Sequence, residues 1–199
     1  MFNSFSLQRF GAVCGFVVPV VAFVCIGLAI LFFSGFSWFD NALSDLGVGS
    51  GVSAPLFNFG LFISGLFCFF FAVFGLFNHF KEGLVGRVGS ILFAVASVWL
   101  MAIGVFNESF WPMHFVVAVA FFVTLPLSLL VLTVVLYRQQ VVKLAVFTLG
   151  TSFVAVIPWV LFFMVRYVPN VAIPEIISSL AVSLWVIVLS CSLFKSGKF

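Results

Sequence analysis

The sequence predicts an all-α, polytopic integral membrane protein, a six-transmembrane-helix bundle with a short interfacial helix in its first outer loop. Three observations carry that prediction. The 199-residue chain is 65% hydrophobic and only 7% charged, with a mean hydropathy of +1.40. A soluble domain carries roughly 25% charged residues. About six apolar runs are each long enough to cross a bilayer, which takes about 20 helical residues. Strongly hydrophilic residues are confined to the short gaps between those runs, and the gaps alternate in charge. The length leaves room for a single transmembrane domain over residues 1–199 and for no separate extramembrane domain.

The runs span approximately 10–33, 54–78, 88–106, 113–137, 144–166 and 175–194. The first is too long for the apolar region of a signal peptide and has no convincing cleavage site, so it reads as a retained helix. Pro55, Pro112 and Pro174 stand near the starts of helices two, four and six, where a missing N–H costs little. Pro19, Pro126 and Pro158 fall inside helices one, four and five, where neighbouring groups must satisfy the carbonyls they free. Cys14, Cys25, Cys68 and Cys191 all lie in apolar runs and read as free thiols. The small-residue pairs Gly11/Gly15, Gly60/Ser64 and Gly86/Ser90 are packing signals, because helices in lipid associate through close approach and hydrogen bonds. The 31 phenylalanines read as lipid-facing and core filler.

Charge sets the expected orientation. The N-terminus, second and fourth gaps and C-terminal tail carry Arg9, Lys81, Arg87, Arg138, Lys143, Lys195 and Lys198. The first, third and fifth gaps hold Asp40, Asp45, Glu108 and Glu175 with one cation, Arg166; the remaining acid is Glu82. The positive-inside rule then places both termini in the cytoplasm and the acidic gaps outside a cell membrane. The net charge of +3 is spread along the inner edge, so the expected partners are membrane lipids and not nucleic acid.

The first outer gap is the most structured. Ser37 and Asp40 have capping-box spacing, with Asp in place of Glu, and Gly47 is a candidate C-cap. Between them Trp38, Phe39, Ala42, Leu43 and Leu46 share one helical face, and Asp40, Asn41, Ser44 and Asp45 the other. That pattern predicts a short amphipathic helix over Trp38 to Leu46.

Leu43-Ser-Asp-Leu-Gly47, followed by Pro55, Asn58 and Gly60, resembles the signature of the domain of unknown function 998 family. Gly104-Val-Phe106 followed by Pro112 and His114 is similar to its second motif. The resemblance implies a small prokaryotic or archaeal membrane protein of about six helices and brings no mechanism. The family pattern has a proline after the Gly-x-Phe, where this chain has Asn107.

The candidate polar site at the outer face comprises Asp40, Ser44, Asp45, Asn58, Glu108, His114, Arg166 and Glu175. Asn58 and His114 each sit about one turn inside a helix that follows an outer gap. They are therefore expected to meet Ser44 and Asp45 in one cluster, since an unpaired buried polar group costs about 1–3 kcal/mol. Arg166, the sole outer cation, is expected to pair with an acid. No catalytic set, metal site or cofactor is assigned. The runs hold no ionisable group near the bilayer midplane, which counts against an ion-coupled transporter. A channel lacks a polar lining through the full depth. A binding or accessory role asks least of these residues and ranks first. A membrane-embedded hydrolase acting on a lipid or peptide at the outer leaflet is the alternative, and a transporter or channel ranks third.

Overall fold

In the computed structural model, which describes residues 4–81 and 83–196, six long helices account for the six apolar runs. Glu82 and Lys198 lie outside the described residues. The helices are α1 (Ser4–Phe32), α2 (Ser53–Phe70), α3 (Leu84–Val105), α4 (Met113–Arg138), α5 (Val142–Val165) and α6 (Ala172–Ser196). A π-helical turn, Phe71–Phe77, prolongs α2. The expected spans differ mainly at their ends: α1 is helical from Ser4 and α3 from Leu84, ahead of the expected 10 and 88. Pro55 and Pro174 sit in first turns, and Pro112 caps α4. Arg138 and Lys195 sit in last turns, where a cation favours the helix dipole.

Each helix packs on its neighbours in the chain, and α6 returns to α1, closing a ring. The three acidic gaps lie at one end and the basic gaps at the other. Small residues set the approach distances. A side chain on Gly11 would run into the backbone of Phe74 and Gly75, and one on Gly104 into the Asn58 carbonyl. Gly60 faces Cys25 in the same way. Ser90 instead donates back to the Gly86 carbonyl at 2.9 Å, within its own helix. All four cysteines are free.

The interior of the ring is filled towards its basic end. The rings of Phe71 and Phe93 lie 5.8 Å apart, those of Phe93 and Trp185 5.5 Å, and those of Phe71 and Trp185 6.4 Å. All three side chains are buried. The Trp185 indole N–H donates to Thr148 Oγ1 at 2.9 Å, so its one polar atom is satisfied. On the other side of this plug lies a small cavity of about 80 Å³, lined by apolar side chains and Ser64, Ser97, Ser178, Ser179 and Ser183.

The first loop corrects the sequence expectation. Trp38 to Leu46 is not one amphipathic helix. Ser37 Oγ does pair with Asp40, donating to Oδ2 at 2.6 Å and accepting the Asp40 N–H at 3.3 Å, but the pair closes a turn. A separate 3-10 segment, Leu43–Val48, follows, with Gly47 inside it and Gly49 as its C-cap. Its start is held by Asp45, whose carboxylate accepts the Ala42 N–H at 3.0 Å and the Asn41 amide at 2.6 Å. The apolar residues explain the break. Leu43 and Leu46 are buried in the ring's mouth while Trp38 and Phe39 stay exposed, so they do not share a face.

Gly11→Leu should lower the unfolding temperature of the detergent-solubilised protein, by the equivalent of about 1–3 kcal/mol for overpacking. Gly27→Leu, in the same helix with open space around it, should not. Equal losses at the two positions would refute the close-approach role of Gly11.

Candidate functional site

The three acidic-end loops are tied together by hydrogen bonds of both side chain and backbone. Glu175, in the first turn of α6, accepts the Leu43 N–H at 2.6 Å. Asn170 donates from its side chain to the Asp40 carbonyl at 2.8 Å and from its backbone to the Phe39 carbonyl at 3.1 Å. The Ala172 N–H donates to the Asn41 carbonyl at 3.2 Å. Between α3 and α4, Asn107 Oδ1 accepts the Ser109 N–H at 3.1 Å and opens a 3-10 turn, Glu108–Phe110. That turn sets Glu108 against the first loop, where Ser44 Oγ donates to Glu108 Oε1 at 2.7 Å. Asn107 therefore caps the turn that carries an acid of the site.

His114 sits in the first turn of α4 and is 8% exposed. Its Nδ1 lies 2.7 Å from the Phe106 carbonyl oxygen. A carbonyl can only accept, so Nδ1 donates to it. Burial raises the Glu108 carboxyl above its ordinary range; the Ser44 hydroxyl opposes this and neighbouring Asp45 adds to it.

Ser44, Asp45, Glu108, His114, Asn170 and Glu175 line the head of a cavity of about 730 Å³. The rest of the cavity is apolar and runs between α4 and α5. Its walls include Phe115, Ala118, Val119, Phe122, Leu127 and Leu130 from α4, with Val156, Trp159, Phe162 and Phe163 from α5. From His114 to Leu130 is about 24 Å at 1.5 Å per residue. Val119, Val123 and Leu127 are exposed along its rim, so it opens sideways, between the two helices. The Trp159 indole N–H is held by Ser178 Oγ at 3.1 Å, which fixes that wall.

The eight residues singled out from sequence divide into two groups. Ser44, Asp45, Glu108, His114 and Glu175 come together at the cavity head. The other three do not line it. Asn58 turns to the far side of the first loop, where its amide donates to the Gly47 carbonyl at 2.9 Å and its Oδ1 is buried with no hydrogen bond. Asp40 is exposed and spends its carboxylate on Ser37. The Arg166 guanidinium lies 4.9 Å from the centre of the Phe162 ring and forms no ion pair with an acid among the described residues. Arg166 ends α5 in a left-handed conformation, φ 48° and ψ 48°, which turns its side chain back over that ring. Also among the described residues, no three His, Cys, Asp or Glu side chains are placed to hold a metal ion.

A family model described as a protein of unknown function, DUF998, matches residues 16–192. The chain belongs to this family. No curated protein and no solved structure matches it. The DUF998 match takes in the whole cavity, head and walls alike. Sequence reasoning missed the walls. Phe115, Phe122, Phe162 and Phe163 passed as filler among 31 phenylalanines, and only the i, i+4 series Phe115, Val119, Val123 and Leu127 carried a signal for one continuous face.

With its pKa raised, Glu108 holds a proton more tightly in the folded than in the unfolded protein. Its contribution to stability is full below the ordinary glutamate value of about 4.3. That contribution fades as pH rises through the raised value. The unfolding temperature should fall across that window, and Glu108→Gln, which keeps an acceptor for Ser44, should flatten the fall. Superimposable pH profiles for the two proteins would refute the assignment.

Proposed function

We propose that this protein binds an amphiphilic, lipid-like molecule drawn sideways from the bilayer, with its head at the acidic end and its tail along α4 and α5. One observation carries the reading: a single cavity is polar at one end only and apolar over the remainder of its length. Such a shape matches a molecule whose own polarity is divided the same way, and a lateral opening suits a ligand that never leaves the membrane. The Lys/Arg distribution supports placing both termini in the cytoplasm, with the cavity head at the outer leaflet of the cell membrane. A binding or accessory role follows without any chemistry.

A second reading, hydrolysis of the bound amphiphile, is favoured by the Ser44–Glu108 pair. A hydroxyl donating to a carboxylate at 2.7 Å is a nucleophile beside a base. It requires turnover that Ser44→Ala abolishes. A transport path would have to cross the Phe71, Phe93 and Trp185 plug, which argues against the third class.

Ala118→Trp fills the cavity just below its head. Native mass spectrometry of the detergent-purified protein should find bound lipid in the wild type and little in this variant, at similar unfolding temperature. Equal lipid occupancy in both would overturn the binding reading. A cysteine introduced at exposed Ser50 should react with an impermeant thiol reagent on intact cells. Reaction only after permeabilisation would reverse the orientation.

A further inference from the structure

The small cavity beside the aromatic plug sits deep in the bundle and is lined by hydroxyls. Its walls come from α1, α2, α3, α4 and α6, and serines line it on α2 (Ser64), α3 (Ser97) and α6 (Ser178, Ser179 and Ser183). Ser64 lies about 16 Å along α2 from Ser53, and Ser183 the same distance along α6 from Ala172, at 1.5 Å per residue. That depth is about half of a hydrocarbon core roughly 30 Å thick, where lipid offers a hydroxyl no partner.

Hydroxyls on the other helix walls satisfy themselves. Ser90, Ser97, Thr133, Thr148 and Thr151 each donate to the carbonyl four residues earlier, at 2.8–2.9 Å. Ser64, Ser179 and Ser183 do not, and none of the three has a hydrogen bond among the described residues. Ser64 is fully buried with its Oγ unpaired. A buried hydroxyl costs free energy until something pairs with it. The helix α6 packs on α1 and α5 and not closely on α2 or α3, so the serines on the two sides of the cavity do not bond one another directly.

We propose that this cavity is a hydration site, holding a small water cluster that joins α2 and α3 to α6 through these serines. Size decides the occupant. At about 30 Å³ per molecule, a cavity of about 80 Å³ takes two or three waters, whereas a benzene needs about 150 Å³. A lipid tail is excluded on the same ground. The chemistry agrees. Ser64, Ser179 and Ser183 can each donate and accept, while Ser97 has spent its proton on the Phe93 carbonyl and can only accept. Water supplies both roles. No charged residue lines the cavity among the described residues, so a neutral occupant suits it and an ion does not. Phe122 lines both this cavity and the groove between α4 and α5, and its ring lies 4.5 Å from that of Trp159. An aromatic wall therefore separates the hydrated cavity from the apolar groove, and the proposal stands whatever the groove binds.

Two measurements on the full-length protein test it. A high-resolution crystal structure should show water within about 2.5–3.0 Å of Ser64 Oγ and of Ser179 or Ser183 Oγ, the O–H···O range. Crystals pressurised with xenon, which enters dry apolar cavities, should show no xenon there. Xenon or hydrocarbon density in the cavity, or no density at all, would overturn the proposal. The second measurement is the unfolding temperature in detergent. Ser64→Ala removes a partner from the cluster and should lower it by about 2–4 °C, the shift that one hydrogen bond makes in a chain of this size. Ser190 is the control: it too is fully buried with an unpaired Oγ, but it lines neither this cavity nor the groove. Ser190→Ala should leave the unfolding temperature unchanged or raise it. Ser183→Ala should act as Ser64→Ala does and serves if S64A misfolds. Serine-to-alanine variants at 64 and 183 that are no less stable than the wild type would show a dry cavity and overturn the proposal.

Discussion

The acidic end is held together by the bond from the Leu43 N–H to the Glu175 carboxylate, 2.6 Å long and joining residues 132 positions apart. The first loop has no long helix or sheet to satisfy its backbone. It enters the mouth of the ring with Leu43 and Leu46 buried, and buried N–H groups must find acceptors. Carboxylates supply them. Glu175 takes Leu43, Asp45 takes Ala42, and the backbone of Phe39 and Asn41 pairs with residues before α6. Because α6 also closes the ring on α1, this bond fixes the lid to the element that completes the barrel of helices.

That arrangement gives each acid a distinct task. Asp45 and Glu175 are partly consumed by backbone donors, which positions them. Glu108 accepts the Ser44 hydroxyl and lies beside Asp45, whose charge disfavours its own. The loop is therefore both a structural cover and one wall of the cavity head. Asn58 belongs to the structural side: it pins the Gly47 carbonyl from beneath, and the space there is too small for a side chain on Gly47.

Much of the fold was legible in the sequence because a bilayer leaves few alternatives. A long apolar run must be a helix, since lipid satisfies no backbone group. Gly11 and Gly60 announced close approaches that the structure contains, against Gly75 and Cys25. The first loop was not legible. Its amphipathic pattern described a continuous helix, but burial of Leu43 and Leu46 in the mouth outweighed the local periodicity, leaving Trp38 and Phe39 on the surface. Arg166 was misread for a related reason: charge counting supplies a partner of opposite sign, whereas its backbone geometry aims it at an aromatic face 4.9 Å away.

The cavity was hidden by the same composition that revealed the helices. In a chain with 31 phenylalanines, an apolar wall that meets a ligand cannot be told by composition from one that meets lipid. What separates them is the polar head above the wall. His114 is the residue where the two descriptions meet, since it stands in the first turn of α4 and lines the cavity at the top of its apolar groove, with Nδ1 2.7 Å from the Phe106 carbonyl oxygen. If the space existed only to be filled by hydrocarbon, a phenylalanine there would pack better and bring no polar atom. A histidine there instead spends one ring nitrogen on the Phe106 carbonyl and keeps a polar group at the top of the wall.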